Sequence, residues 1–505
     1  MTKGKKETEM KAPKEQKELR TLTILHSNDI HGQFTGKQEE GGPLTGHLAQ
    51  TAGYVAQEKA KNPNTIYCIA GDLFQGSLID SDFLGLSTMD LFNLIDVDVM
   101  SIGNHELDYG ISHLLFVEKY TDFPIINANF RMRRNGRTLF TPYYILERNG
   151  INILFIGLIT PDIVDQTTAE GLIGSYVIVE NNIAELRWLR KKLKTEGTQV
   201  DLTVLLTHIG YEEDLKLAAA LDPSLGVDVI IGGHSHTYPE KAAVENGILI
   251  VQAGMENTHI GRLELDFDPE ARKIADWRWE LIPVDEEHCP TDRYVRAMLN
   301  TYVMDIDEKY GKIVTRLKRT LDNYGRKNPT ELGQVFADAF GNSLDVDVMF
   351  MASSSMRCYS LDMTVTLQDL RTAYPYDGQI YKIKVTGSQL KKMVRHMLRD
   401  EVLDHAAETF FQTSKSLRIE YDRKTKEVLL ELNGKPVTAR QRITVGVQEF
   451  YYENSEIGFG MTHEELEKYG GLRIAAADAF TVLRDYLADH PGLGGKTDRR
   501  LVIKD

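Results

Sequence analysis

Six short runs rich in β-branched residues, each emptying into polar ones, constrain this 505-residue chain more than any other feature. They are "TLTILHSNDIHG", "NTIYCIAGDLFQGS", "VDVMSIGNHELDYG", "INILFIGLITPD", "VDLTVLLTHIGYEED" and "VDVIIGGHSHT". Apolar runs of this length read as buried strands. Helix-like segments lie between them: "LTGHLAQTAGYVAQEKAK", "ISHLLFVEKY" and "IAELRWLRKKLKTEG", the last closing on Gly197 as a helix C-cap does. Strands alternating with helices make a layered α/β domain, expected here over residues 20–285. Such sheets hold ligands beyond the carboxyl ends of their strands.

After residue 285 the pattern changes. "TDRYVRAMLNTYVMDIDEKYGKI" reads as a long helix within a connector over 286–319, and residues 320–505 read as a second, α+β unit. Its helix-like stretches are "TELGQVFADAFGNSL" and "GSQLKKMVRHMLRDEVL"; "YKIKV", "SLRIEYD" and "RITVGVQEF" are strand-like. Residues 1–19 alternate Lys and Glu without an apolar core, which predicts a mobile charged tail rather than a secretory signal. No apolar run reaches the roughly 20 residues of a membrane span. The three cysteines, Cys68, Cys289 and Cys358, are too few and too scattered for a disulfide framework. Together these features predict a cytoplasmic protein. A formal charge of -15 argues against nucleic-acid polymers and anionic membranes as partners. It leaves small anions open, because bound cations reverse the local sign.

"SIGNHELDYG" places Asn104, His105, Glu106 and Asp108 at one strand end, four groups that ligate metals or move protons. Other strand ends add Asp29 and His31, Asp72, His208, and His234 with His236. Singly, each has an ordinary reading as a turn residue, a helix cap or a satisfied loop histidine. Five such endings in order are a set, since structural turns have no reason to carry His, Asp and Asn so regularly.

The residue types suit a dinuclear centre, in which two divalent ions about 3.5–4 Å apart clamp a phosphoryl group. Asp72 could supply the bridging carboxylate. Neutral Asn104, His208, His234 and His236 keep the total charge low enough to admit phosphate, and Asp29 and His31 complete one shell. Mixed nitrogen and oxygen donors favour Mn2+, Zn2+ or Co2+ over Ca2+, with Mg2+ as an alternative. His105, next to Asn104 in sequence, is better placed over a substrate, with Asp108 orienting its ring.

"HSNDIHG", "AGDLFQGS", "GNHELDYG", "LTHIGYEED" and "GGHSHT" resemble, in order, the blocks of the calcineurin-like metallophosphoesterases. Residues 320–505 resemble the C-terminal domain of the 5′-nucleotidase family, which includes UDP-sugar hydrolases and 2′,3′-cyclic-nucleotide phosphodiesterases. The resemblance implies a four-layer α/β/β/α first domain. It assigns Asp29, His31, Asp72 and His236 to one ion, and Asp72, Asn104, His208 and His234 to the other. His105 and Asp108 would be the catalytic dyad, and a metal-bound water the nucleophile. In the second domain it implies that Arg357 of "MASSSMR" contacts substrate, and that Tyr376 and Phe450 stack on the base. Gly378 stands where the family commonly has an asparagine that reads the base. The expected activity is release of phosphate from a small nucleotide. The alternatives are a phosphoesterase for a non-nucleotide ester and a catalytically silent nucleotide-binding sensor.

Overall fold

The computed structural model describes residues 19–38, 42–161, 176–179, 181–325, 327–404 and 410–504. Of the expected charged tail, all but Leu19 lies outside these residues. The chain divides between residues 305 and 306 into two compact units.

The first unit is built on two six-stranded sheets. In one, Arg20–Ser27, Thr65–Ala70, Val99–Ser101 and Ile125–Ile126 run parallel, and His259–Asp268 and Lys273–Pro283 extend the other edge antiparallel. In the other, Ile151–Ile159, Leu202–His208, Val229–Ile231 and Ile248–Val251 run parallel between two antiparallel edge strands. The sheets face each other through one apolar core. Leu22, Ile24, Ile66 and Cys68 come from the first sheet, and Ile153, Phe155, Val204 and Ile231 from the second. Alternation along a strand decides which residues point there. Ile151, Ile153 and Phe155 point between the sheets, while Leu154, Ile156 and Leu158 point outward onto Leu186, Leu189 and Leu193 of helix Asn182–Thr195. Helix Leu48–Lys61 packs on strand Thr65–Ala70 of the first sheet. Helix, sheet, sheet and helix make four layers.

One helix begins later than its apolar pattern suggests. Leu44–His47 is a strand paired with Thr35–Gln38, and the helix runs over Leu48–Lys61. Gly46 takes φ +77°, a left-handed conformation that no helix continues through, and the His47 ring caps the helix by accepting from the Ala49 N–H at 3.2 Å. Helix Asn182–Thr195 closes as expected, with Gly197 at φ +71°. Helix Arg293–Tyr310 spans the division between the units.

The second unit is α+β. A five-stranded mixed sheet runs in the order Phe411–Thr413, Val348–Ala352, Arg442–Gln448, Ile380–Thr386, Arg473–Ala476. Met349 and Met351 face Phe336 and Phe340 of helix Glu331–Ser343. Val348 and Phe350, on the opposite face, meet Leu390 and Met393 of helix Gly387–Met397. Both helices start with threonine caps. The strand-like run "RITVGVQEF" ends at Gln448, and Phe450 lies in the short helix Glu449–Glu453.

Candidate active site

Five parallel strands of the first unit end at one place. Arg20–Ser27 leads to Asp29 and His31, Thr65–Ala70 to Asp72, and Val99–Ser101 to Asn104 and His105. From the facing sheet, Leu202–His208 ends on His208 itself, and Val229–Ile231 leads to His234 and His236. Three sets of ligand-type side chains gather there, the atoms of each within 4.8 Å of one another: Asp29, His31 and His236; His31, Asp72 and His105; and Asp72, His208 and His234. Asn104 joins the last set, its Oδ1 standing 2.9 Å from His234 Nδ1.

Asp29, His31, Asp72, His234 and His236 all hold positive φ, between 51° and 81°. Non-glycine residues avoid this region, and such strain gathers at functional sites. The backbone at these turns is fixed from several directions. Asp29 N–H donates to the Gly71 carbonyl at 3.0 Å, and His31 N–H to the Asp72 carbonyl at 3.1 Å. The Asp29 carboxylate accepts from His234 N–H at 2.9 Å and from Asn28 Nδ2 at 2.6 Å. Asp72 Oδ1 accepts from the His105 N–H at 2.9 Å.

The donor set is suited to cations. Asp29 and Asp72 are both buried. His208, also buried, donates Nδ1–H to the Ala70 carbonyl at 2.8 Å, which leaves Nε2 facing the two carboxylates. That Nε2 lies 3.0 Å from Asp72 Oδ2 but off the line of a hydrogen bond, so it has no hydrogen-bond partner. Burial works to lower the basicity of His208, but Asp72 and then Asp29 overcome it and push the pKa up to about 10. Burial likewise opposes the charge on Asp72, yet His208 and the neighbouring rings hold it below the usual carboxylate range. A buried pair of carboxylates facing an orphan imidazole nitrogen calls for positive charge, and divalent ions meet that demand without protonating the ligands.

His105 lies within reach of His31 and Asp72 but is held by a carboxylate of its own. Its Nδ1 is 2.8 Å from Asp108 Oδ2, and the residue lines the cavity over the site. Burial works to lower its pKa, but Asp108 and Asp72 outweigh burial and shift it upward from the ordinary histidine value. Glu106 turns the other way. Its buried carboxylate accepts N–H groups from Gly103 at 2.6 Å, Asp72 at 2.9 Å and Leu73 at 2.7 Å, tying two site loops together. Burial, and then the Asp72 charge, push its pKa up to about 7. The sequence placed Glu106 among possible ligands; the fold makes it a loop anchor. Asn28 and Gln252 went unnoticed in the sequence. Asn28 binds the Gly254 carbonyl at 2.8 Å and Gln252 accepts from Thr237 N–H at 2.6 Å, so each steadies a loop of the site. The only sequence signal for Asn28 is an amide beside Asp29, and Gln252, at the end of strand Ile248–Val251, has none.

In the second unit, Arg357, Tyr376 and Phe450 are exposed. The buried aromatic of that segment is Tyr374, not Tyr376. Arg357 Nε donates to the Tyr376 hydroxyl at 2.7 Å. Glu449, next to Phe450, is tied to the segment after Tyr376: its carboxylate accepts from Gln379 N–H at 2.9 Å and its own N–H donates to the Gln379 carbonyl at 2.9 Å.

Two facing mixed sheets whose parallel strands carry carboxylates and imidazoles at their carboxyl ends are the arrangement of a metallophosphoesterase. Residues 22–238 match the family model of the calcineurin-like phosphoesterases, and residues 303–464 that of the 5′-nucleotidase C-terminal domain. The chain belongs to the 5′-nucleotidase-type metallophosphoesterases and is a metal-dependent phosphoric ester hydrolase. It is 25% identical over 421 residues to 5′-nucleotidase of Mus musculus, covering 74% of this chain and 71% of that protein. To 5′-nucleotidase of Homo sapiens it is 26% identical over the same length, with the same coverage. Its fold matches the crystal structure of a 5′-nucleotidase precursor from Thermus thermophilus with a TM-score of 0.68 at 23% identity, over 96% of this chain and all of that one. No helix among the described residues is long and apolar enough to cross a membrane.

Proposed function

We propose that the protein is a dinuclear-metal 5′-nucleotidase, releasing phosphate from a small nucleotide. The observation that supports this reading most is that Asp72 belongs to two donor sets, one with His31 and His105 and one with His208 and His234, while His31 also belongs to the set with Asp29 and His236. Asp29, His31 and His236 would hold one ion with Asp72, and Asn104, His208 and His234 the other, with Asp72 between them. When bound, the ions supply charge to the phosphoryl oxygens and an activated water.

The chain's own residues do the rest. His105, held by Asp108 through Nδ1, presents Nε2–H to the phosphoryl oxygen on which charge develops. Burial works against the charged ring, but Asp108 and Asp72 outweigh it and favour the protonated form. Glu106 keeps the backbone that carries Asp72 from relaxing. In the second unit, Arg357 would hold an anionic part of the substrate, and Tyr376 and Phe450 would stack on its base.

The test is metal content and phosphate release together. The protein, stripped and reloaded with Mn2+, Zn2+, Co2+ or Mg2+, is assayed on mononucleotides, UDP-sugars, cyclic nucleotides and simple phosphomonoesters. Two bound ions per chain and hydrolysis of a 5′-nucleotide are expected. Asp72→Asn should abolish both. Near-normal turnover in that variant overturns the assignment, and activity on simple esters alone overturns the nucleotide reading.

A further inference from the structure

The cavity over the metal-type residues has a volume of about 470 Å3 and is open to solvent. Among the described residues that line it, Lys37 is the single lysine, and there is no arginine. Lys37 lies in the hairpin of Thr35–Gln38 with Leu44–His47, paired to Thr45. Its Nζ donates to Glu256 Oε2 at 2.6 Å. Glu256 holds φ +55°, and its N–H donates to the Asp29 carbonyl at 2.7 Å. The ion pair is therefore fastened to the turn that carries a metal-type carboxylate.

Stability does not account for this pair. Lys37 is 57% exposed and Glu256 31%, and ion pairs this open to water contribute little. An ammonium has three donors, and Glu256 engages one. A phosphate oxygen carries charge enough to replace that carboxylate.

We propose that Lys37 is a specificity-determining residue, which exchanges Glu256 for the phosphate adjoining the one being hydrolysed. The substrates it favours are phosphoesters bearing a second phosphate, such as a nucleoside diphosphate, over monoesters. This rests on the nucleotide reading above, and the test separates the two.

Binding of inorganic phosphate and of methylenebisphosphonate to the metal-loaded protein is measured by calorimetry, at equal metal content, for the wild type, Lys37→Met, Lys37→Arg and Glu256→Gln. Lys37→Met should weaken the bisphosphonate about tenfold more than phosphate, the scale of one charge-assisted contact. Lys37→Arg should restore much of the loss. Glu256→Gln should tighten the bisphosphonate, because it removes both the competing carboxylate and its repulsion. A structural ion pair gives the opposite sign: Glu256→Gln would then weaken binding as Lys37→Met does, and the proposal falls. Equal loss for both ligands in Lys37→Met also overturns it. In turnover, the ratio of kcat/KM for nucleoside diphosphate over monophosphate should drop about tenfold in Lys37→Met. A wild type that hydrolyses neither nucleotide overturns the nucleotide reading, and the binding comparison still decides the role of Lys37.

Discussion

His31 and His236, 205 positions apart in sequence, bring their Nε2 atoms to within 3.1 Å. Asp29 Oδ1 lies 3.8 Å from the first and 3.4 Å from the second. Two imidazole nitrogens that close either share a proton or face a common cation. The carboxylate beside them favours the cation. His236→Ala should therefore lower the metal content from about two ions per chain to about one, measured by plasma mass spectrometry after dialysis. Chelation should also lower the unfolding temperature, since an ion at about a thousand times its Kd stabilises by about 4 kcal/mol. A chelator-insensitive unfolding temperature would remove the metal centre from the account.

Gly103 gives a second expectation. A Cβ built there would fall 2.2 Å from Asp72 Oδ1, and its N–H already serves Glu106 at 2.6 Å. Gly103→Ala must push Asp72 aside. Displacement of a reacting group by about 1 Å costs on the order of a hundredfold in rate. We expect at least that loss in kcat/KM, together with lower metal retention and a circular dichroism spectrum like that of the wild type. Unchanged metal content and rate would mean that the loop gives way without moving Asp72.

His105 and Asp108 should separate from the ligands in the same measurements. His105→Asn should lower kcat by about 10²–10⁴-fold, the range of a positioned proton donor, and keep both ions. Asp108→Asn should do less, because the ring remains but loses the carboxylate at 2.8 Å that orients it and raises its pKa. Loss of an ion in His105→Asn would make His105 a ligand.

How much of this was legible follows from what each feature depends on. The layered fold was legible because strand burial and strand order are written as runs of apolar residues. The ligand-type residues were legible as a set because each ends such a run, and the fold brings their side chains together. The strand Leu44–His47 was not, because its pairing with Thr35–Gln38 is set by Gly46 at positive φ while the apolar spacing fits a helix. The inward turn of Glu106 was hidden for a similar reason. Spacing places it beside Asn104 and His105, but only the N–H groups of Gly103, Asp72 and Leu73 decide which way it points. Phe450 read as the end of a strand, and its exposure depends on the short helix Glu449–Glu453.

Asp214 makes the stability of the first unit depend on pH. Burial pushes its pKa up to about 8, with Thr207 and His208 offsetting only part of the effect. The unfolded chain releases this proton near the ordinary value of about 3.9. Between the two values the folded state binds more protons than the unfolded one, so this group's contribution to stability falls as pH rises from about 4 to about 8. Asp214→Asn holds the neutral shape at every pH. Its stability relative to the wild type should therefore increase steadily from pH 4 to pH 8, read by urea unfolding at each pH. A pH-independent difference would place an ordinary ionised carboxylate at Asp214.

The exposed aromatics of the second unit give the last expectation. Tyr374 packs in the core, whereas Tyr376 and Phe450 are 38% and 62% exposed, a cost in contact with water that stacking on a base would offset. Each stacked base contributes about 1–3 kcal/mol, which corresponds to a change in affinity of roughly 5- to 150-fold. Phe450→Ala should raise KM for a purine mononucleotide within that range and leave hydrolysis of p-nitrophenyl phosphate within about twofold of the wild type. Tyr376→Phe isolates the hydroxyl that accepts from Arg357 at 2.7 Å. If Arg357 is held ready by that bond, Tyr376→Phe should raise KM less than Tyr376→Ala, because the ring survives and only the guanidinium is freed. Equal losses on the nucleotide and on p-nitrophenyl phosphate in Phe450→Ala would show that Phe450 acts on the fold of the unit and not on a base.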